Sequence, residues 1–225
     1  DSAGNVYATL WPNRIMVQYA GTTTFVELGI DSPPNDSLIN RALAVDSGNH
    51  LVAGLDITVG TNGFYGGVSR WTVGGHYAHS LSGGSWTALP WPSQVARNMT
   101  PDLIVGDGAG NLYALDDYRW LYYDGAAQTW TVHSTSNYSG YWRDAVYANG
   151  KLYAVGSGGG YGTRFVAYDI ATKAWIPLSL PPVAPDVGVS LAWDGADHLY
   201  LLSGGGTRHV ERYQISRNAW AQLPD

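Results

Sequence analysis

The stretch Asn149–Leu178 reads NGKLYAVGSGGGYGTRFVAYDIATKAWIPL, and the rest of the chain is organised around it. It contains an apolar strand at 152–155, a glycine-rich segment, a second strand at 165–168 and a third that begins at Trp175. The same order returns at 197–223, which reads DHLYLLSGGGTRHVERYQISRNAWAQL. Because β-forming residues alternate with turn formers, both stretches predict short strands joined by tight turns.

Two markers repeat along the whole chain. The first is a turn rich in Asp, Asn and Gly that an apolar strand follows at once, as in DGAGNLY at 107–113 and DGADHLY at 194–200. These residues tolerate the positive φ that a tight hairpin requires. The second marker is a bulky aromatic residue that opens the last strand of each unit: Phe25, Trp86, Trp130, Trp175 and Trp220, with spacings of 61, 44, 45 and 45 residues. A period of roughly 40–50 residues with four strands per unit is typical of a β-propeller.

We therefore predict one all-β domain over 1–225, a β-propeller with five four-stranded blades. The repeat units fall at about 1–30, 41–91, 102–133, 144–179 and 189–225. We name the strands of a unit a to d. The a–b and c–d turns then share one face of the ring, and the b–c and d–a connections share the other. Five units can close by themselves or form part of a six- or seven-bladed ring.

The first unit begins inside its a–b turn, so the prediction is that its innermost strand, strand a, is absent. The gap would expose a sheet edge, and exposed edges attract other strands. Two explanations stay open. Residues are missing or disordered at one end, or a neighbouring chain donates the strand and forms a homo-oligomer.

The last two units resemble the kelch repeat. This repeat has paired glycines after strand b, a tyrosine before strand d and a tryptophan that opens strand d; the matching residues are Gly158–Gly160, Tyr168 and Trp175 in one unit and Gly204–Gly206, Tyr213 and Trp220 in the other. The third unit keeps Tyr123 and Trp130, while the first keeps only Tyr19 and Phe25. The DGAGNLY-type turns are also similar to those of bacterial propellers of the NHL type. The resemblance implies a β-propeller whose work is binding and not catalysis.

Composition excludes several classes of function. The net charge is −6, which gives no basic face for a nucleic acid backbone. No apolar run reaches the ~20 residues that a membrane span needs. The chain has no cysteine, which excludes disulfides, thiolate metal sites and cysteine nucleophiles. Four of its six histidines are scattered, and His76 and His79 would face opposite sides of a strand, so we expect no metal and no cofactor.

The aromatic residues outside the repeat pattern indicate a binding surface. They fall in b–c and d–a connections, together with charged residues, and aromatic rings stack on the apolar faces of sugars while charged groups fix the hydroxyls. The candidate ligand-binding residues are Trp11, Phe64, Tyr65, Trp91, Asp116, Asp117, Tyr118, Arg119, Tyr138, Tyr141, Tyr161, Arg208 and His209. We place Trp120 and Asp56 on the same surface. The alternative is that these aromatic residues only cover the ends of the blades.

We expect a non-enzymatic, carbohydrate-recognising module that is extracellular or on the cell surface, with a glycan or another protein as its partner. No catalytic residue is assigned. One alternative is a structural or protein-interaction propeller that assembles through the open strand edge. Another is a polysaccharide hydrolase or lyase that uses Asp116 or Asp117, although we favour capping of a turn as the explanation of this pair.

Overall fold

The fold is known from a computed structural model, which describes ten segments of the chain. They are 6–10, 14–27, 38–45, 50–58, 72–80, 87–88, 103–116, 119–135, 142–157 and 162–224. Within these segments the protein is all-β, as predicted: every regular element is a strand, apart from one turn of 3-10 helix over Ile215–Arg217. None of the described elements is a helix with the length and hydropathy that a membrane crossing requires.

The described strands form five antiparallel sheets, which we number in chain order. Sheet one has three strands, β1 (Val6–Leu10), β2 (Arg14–Gln18) and β3 (Phe25–Glu27). Sheet two has four, β4 (Leu38–Val45), β5 (His50–Thr58), β6 (Thr72–Ser80) and β7 (Thr87–Ala88). Sheet three also has four, β8 (Leu103–Gly106), β9 (Leu112–Asp116), β10 (Arg119–Asp124) and β11 (Thr129–Thr135).

The last two sheets are the best copies of the repeat. Sheet four consists of β12 (Trp142–Ala148), β13 (Lys151–Gly156), β14 (Arg164–Asp169) and β15 (Ala174–Pro177). Sheet five consists of β16 (Ser190–Trp193), β17 (His198–Leu202), β18 (Val210–Gln214) and β19 (Ala219–Gln222). The sequence predicts strands a to d of the last unit at 190–193, 199–202, 210–213 and 219–223, and the observed bounds confirm them to within one residue. In every sheet consecutive strands are neighbours.

This strand order gives each four-stranded sheet two different ends. The turn end carries the a–b and c–d turns, and the connection end carries the b–c connection and the segments that lead into and out of the sheet. In sheet four, Lys151 pairs with Asp169 at the turn end and Gly156 pairs with Arg164 at the connection end. In sheet five, the corresponding pairs are His198 with Gln214 and Leu202 with Val210.

The c–d turns share a local conformation that the repeat dictates. The residue two positions before the repeat's tryptophan has a positive φ in three turns: Gln128 at 54°, Lys173 at 57° and Asn218 at 48°. Asn149, in an a–b turn, has a φ of 49°. The left-handed conformation closes each turn within four residues, so the flanking strands stay in register.

Aromatic packing joins sheets four and five. Phe165 lies against Tyr213 and Trp220 of sheet five, with ring centroids 4.8 Å and 5.0 Å apart. Tyr153, Leu199 and the aromatic rings belong to one buried cluster. Burying rings of this size gives the cluster a large apolar contribution to stability. The period of the tryptophans indicates that they pack between neighbouring sheets, and the contact of Trp220 with Phe165 confirms this for Trp220.

Two sequence predictions about aromatic residues are wrong. Tyr19 was aligned with the repeat's tyrosine, but Gln18 is the residue that pairs with Phe25, so Tyr19 falls one position later, in the turn, and is half exposed. The Gln18 side chain donates to the Thr22 carbonyl oxygen at 2.8 Å and closes this turn. Trp120 was placed on the ligand surface, but its side chain is 0% exposed. It stacks on Trp175, with centroids 6.2 Å apart, because it occupies the third strand and faces the interior.

The chain divides into two compact units, which are larger than the repeat units and are called the first unit and the second unit from here on. The first comprises Asp1–Asp116 and Leu121–Val132, and the second comprises Asp117–Trp120 and His133–Asp225. In the first unit the leading strand of each sheet lies beside the leading strand of the next, β1 beside β4 and β4 beside β8. In the second unit β12 lies beside β16 in the same way.

Candidate functional site

Most of the predicted ligand-binding residues lie outside the described residues. These are Trp11, Phe64, Tyr65, Trp91, Asp117, Tyr118, Tyr138, Tyr141 and Tyr161. Asp116 is the last residue of β9. Asp56 lies within β5, which continues to Thr58, so it belongs to a strand and not to a connection. Arg119, Arg208 and His209 are described with their side chains, and all three lie at the connection ends of their sheets.

The second unit carries a basic residue at the same repeat position in three successive sheets. The position lies four residues before the tyrosine of the repeat, where the third strand begins. Arg119 occupies it in β10, Arg164 occupies it in β14, and His209 occupies it just before β18. Because the position recurs with the repeat, the fold places a basic side chain at the same end of each of these sheets.

A second arginine joins Arg164 at the connection end of sheet four. Arg143 follows Trp142 at an irregularity in the register between β12 and β13, and its Nε donates to Ser157 Oγ at 3.4 Å. Register irregularities of this kind redirect side chains from the regular alternation of a strand. Gly156 pairs with Trp142 on one side and with Arg164 on the other, so the middle position of this row has no side chain.

In sheet five, backbone hydrogen bonds join the b–c connection to the segment that precedes the sheet. The Asp186 N–H donates to the Ser203 carbonyl oxygen, and the Gly205 N–H donates to the Val187 carbonyl oxygen, both at 2.9 Å. Gly204 has a φ of 75°, and a Cβ built on it would lie 2.7 Å from Val187 O. The Gly-rich sequence is therefore required here because two backbone segments meet at van der Waals distance.

Arg208 and His209, near this loop, differ in their exposure to solvent. Arg208 is exposed. His209 is half-buried, and its Nδ1 lies 3.1 Å from Nε2 of Gln222 on the neighbouring strand β19. The loop therefore presents the long side chain of Arg208 to solvent, whereas the ring of His209 is held against the sheet.

A buried carboxylate lies beneath the loop. Glu211 is 0% exposed, and its Oε1 accepts a hydrogen bond from the Val183 N–H at 2.9 Å. Glu211 Oε2 and the Ser203 hydroxyl are both buried and have no hydrogen-bond partner among the described residues. Burial raises the pKa of Glu211, while the bond from Val183 and the proximity of the Ser203 hydroxyl and His209 oppose this shift.

A second buried carboxylate joins the inner strands of sheets four and five. Asp144 Oδ2 accepts the Leu191 N–H at 2.6 Å, and Oδ1 accepts the Ala145 N–H at 2.8 Å. Burial raises the pKa of Asp144 to about 6 even though both backbone donors favour the charged form. This carboxylate therefore links the leading strands of two sheets, which the bond from Asn149 Nδ2 to the Ala196 carbonyl oxygen also joins at their turn ends.

The tryptophan pair in the same unit is a structural element. Trp142 stacks on Trp175 with centroids 6.0 Å apart, on the same indole that receives Trp120. The indole N–H groups of Trp120 and Trp142 are buried and have no hydrogen-bond partner among the described residues. Trp120 follows Arg119 in β10 and Trp142 precedes Arg143 in β12, so each of these buried rings is next in sequence to an arginine of the connection end.

The polar side chains of the connection end are buried carboxylates and arginines that are partly or fully exposed. Among the described residues no three His, Asp or Glu side chains converge on one point. The two buried carboxylates are each engaged by backbone N–H groups, which is the pattern of structural links between segments. Partly exposed arginines can donate paired N–H groups to oxygen atoms of a ligand.

Neither a protein-family model nor a curated protein matches this chain.

Sequence reasoning missed three of the residues that define this site. Arg164 occupies the same repeat position as Arg119, so a position-by-position alignment of the last units would have found it. Asp144 and Arg143 gave no such signal, because the irregularity in β12 that sets their orientation is not encoded by the repeat pattern.

Proposed function

We propose that the protein is a non-catalytic binding module that recognises carbohydrate through the connection ends of its sheets. The observation that carries this proposal is the uniform strand order, which brings every b–c connection to one end of its sheet. The surplus aromatic residues of the sequence fall in these connections and in the segments between sheets. Aromatic rings next to polar side chains are the usual composition of a sugar-binding surface.

We further propose that the sheets are the blades of a kelch-type β-propeller with five blades. This proposal is supported within each unit by the leading strands, which lie side by side. Such a relation is expected when sheets are arranged radially around an axis. It is also supported by the packing of Trp220 of sheet five on Phe165 of sheet four.

A glycan array with single-residue variants tests the carbohydrate proposal. We expect the intact protein to bind a restricted set of glycans, and Trp91→Ala and Tyr65→Ala to lower the affinity at least roughly tenfold, because stacking of one ring contributes about 1–3 kcal/mol. Tyr19→Ala is the matched control, since Tyr19 is an exposed aromatic residue in a c–d turn. An array without hits, or binding that Trp91→Ala and Tyr65→Ala leave unchanged, would contradict the proposal.

A second function, assembly with other chains through a sheet edge, is favoured by one observation. Sheet one has three described strands where the other sheets have four, and β1 stands at its edge. An edge strand offers unpaired N–H and C=O groups to another strand. Light scattering over a hundredfold range of concentration tests this function: self-association would favour it, and a strict monomer at the highest concentration would remove self-assembly.

A further inference from the structure

We propose that the segment 178–189, which joins sheets four and five, is a pH-sensitive strap: it is docked on sheet five in acid and opens more often as the pH rises. Glu211 and Asp144 are the residues that hold it. We call this segment the strap. Its opening needs no ligand, so it goes beyond the binding function proposed above.

The strap begins at contacts whose groups do not titrate. The Ser179 N–H donates to Asn218 Oδ1 at 2.8 Å, and Trp220 Nε1 donates to the Ser179 carbonyl oxygen at 2.7 Å. Asn218 lies in the c–d turn of sheet five, so the strap starts at the turn end of that sheet. Because neither an amide nor an indole titrates in the ordinary pH range, we expect this end to stay attached at every pH.

The middle and the far end of the strap are held by carboxylates. The Val183 N–H donates to Glu211 Oε1 at 2.9 Å. The Leu191 N–H, just beyond the strap in β16, donates to Asp144 Oδ2 at 2.6 Å. Both acceptors belong to strands that are distant in sequence from the strap. The attachment of this part of the strap therefore depends on groups that gain and lose a proton.

The surroundings of Glu211 favour its protonated form when the strap is docked. Its Oε2 and the Ser203 hydroxyl are buried and have no hydrogen-bond partner among the described residues. A buried carboxylate with one oxygen unpartnered is costly when it is charged. Burial raises its pKa, while the Val183 N–H, the Ser203 hydroxyl and His209, which is the titratable group among the three, oppose the shift. Once protonated, Oε1 can still accept the Val183 N–H.

Asp144 responds to pH in the same direction. Burial raises its pKa to about 6, although the Leu191 and Ala145 N–H groups and the Ser190 hydroxyl favour the charged form. None of these three groups carries a charge. The neighbouring Arg143 donates from Nε to Ser157 Oγ at 3.4 Å. Protonation of Asp144 therefore also favours the docked strap.

The sign of the pH dependence follows from these two carboxyl groups. When the strap and the first residues of β16 leave the sheets, water reaches both groups and their pKa values return to the ordinary range. Since both are higher in the docked state, docking is most stable below about pH 4 and loses stability as the pH rises through about 6. Through Asp144 alone, opening should become on the order of tenfold more frequent between pH 5 and pH 8.

The strap carries the b–c connection of sheet five with it. The Asp186 N–H donates to the Ser203 carbonyl oxygen and the Gly205 N–H donates to the Val187 carbonyl oxygen, both at 2.9 Å. A Cβ on Gly204 would lie 2.7 Å from Val187 O, so the two segments are in direct contact. When the strap opens, the connection at 203–207 loses this support. The pH thus controls the order of the connection end of sheet five.

Hydrogen exchange of the intact protein at pH 5 and pH 8 tests the strap. After correction for the intrinsic effect of pH on exchange, the protection of the Val183, Asp186 and Leu191 amides should fall at least roughly tenfold at the higher pH. Low concentrations of urea should change this exchange little, because a local opening exposes little surface. Protection that is equal or higher at pH 8 would overturn the proposal. So would an equal loss in β13 with a strong urea dependence, since the whole unit would then be unfolding.

Isosteric variants assign the effect to the two carboxyl groups. Glu211→Gln and Asp144→Asn keep an oxygen acceptor and remove the charge, so each should reduce the pH dependence and the double variant should abolish it. If one of them fails to fold, which thermal unfolding reports, the other single variant still provides the test. Asp186→Asn is the matched control, because Asp186 is an exposed carboxyl group of the strap whose Oδ1 accepts the Val187 N–H at 2.7 Å. A full pH dependence in the double variant, or its loss in Asp186→Asn, would overturn the proposal.

Discussion

The two ends of the second unit use their acidic residues in opposite ways. At the turn end Asp169 and Asp194 close local turns, because Asp169 accepts the Thr172 N–H and Asp194 accepts the Ala196 N–H. Asp197 is exposed in part and joins two neighbouring turns by accepting the Ser216 N–H and hydroxyl. At the connection end the carboxylates of Asp144 and Glu211 are buried and accept N–H groups from segments distant in sequence.

The two ends therefore differ in the distance along the chain that their carboxylates bridge. Asp169 and Asp194 satisfy groups of their own turns, so these residues are explained by the local fold. At the connection end, Asp144 and Glu211 hold segments that are distant in sequence. The longer segments of this end thus depend on buried carboxylates, which the turn end does not use.

The largest expected difference between the two ends is the loss of stability when a glycine is replaced by alanine. Gly204→Ala places a Cβ within 2.7 Å of Val187 O and Val189 N at the connection end, where φ is 75°. Backbone strain and overpacking together should lower the free energy of unfolding by about 4 kcal/mol. Gly195→Ala is the matched control at the turn end: its φ is 81°, but nothing lies within 4 Å of the added Cβ, so a cost of about 1 kcal/mol is expected.

Urea denaturation of both variants measures this difference. Equal losses of stability would show that the two backbone segments at Gly204 are not in close contact, which would contradict the described connection end.

The next largest effect is a pH dependence of opposite sign at the two ends. The pKa of Asp144 is about 6 in the folded protein against about 3.9 in an unfolded chain, so ionisation costs stability. Its contribution is favourable when the group is protonated, near pH 4, and falls by about 3 kcal/mol as the pH rises through 6. Asp144→Asn should remove this contribution to the slope, which urea denaturation between pH 4 and pH 7 measures.

Asp169 at the turn end is the control. The side-chain hydrogen bond from Lys151, together with the Thr172 N–H, lowers the pKa of Asp169 to about 2. Its contribution is present above pH 4 and is lost as the pH falls towards 2. Asp169→Asn should therefore leave the slope between pH 4 and pH 7 intact. Glu211, whose pKa burial also raises, contributes a slope of the same sign, so Asp144→Asn should reduce the slope of the intact protein and not abolish it. A slope in Asp144→Asn equal to that of the intact protein would rule out Asp144 as a source.

The smallest expected effect separates stability from binding. The buried Tyr213 hydroxyl donates to Asn218 Oδ1 at 2.8 Å near the turn end. Tyr213→Phe should lower the free energy of unfolding by about 1 kcal/mol, the usual contribution of one hydrogen bond. Since Asn218 Oδ1 also accepts the Ser179 N–H, no buried group loses all its partners. Ligand affinity should stay the same, and a change in affinity would place the ligand nearer the turn end.

The sequence predicts the regular part of the fold well because its signals are local. Each DGAGNLY-type turn and the strand after it are specified by neighbouring residues: Asp107 Oδ1, for example, accepts the N–H groups of Ala109 and Asn111 within one turn. The positions of β16 to β19 follow from these turns and from the tryptophan marker. The propeller itself remains a proposal.

What the sequence does not predict depends on register and on contacts between segments. A shift of one residue places Gln18, and not Tyr19, opposite Phe25. Trp120 lies three residues before a tyrosine of the repeat, in the position of Phe165, and faces the interior for the same reason as Phe165 does. Asp144 becomes a link between sheets only because β12 and β16 lie side by side.

Hydrogen exchange of backbone amides in the presence of a glycan that the array identifies tests most directly whether the connection end is the ligand surface. We expect the ligand to slow exchange at 162–164 and 203–209, next to Arg164 and Arg208, and to leave the turns at 194–198 and 215–218 unchanged. Slower exchange at the turns alone, with none at the connection end, would contradict the assignment.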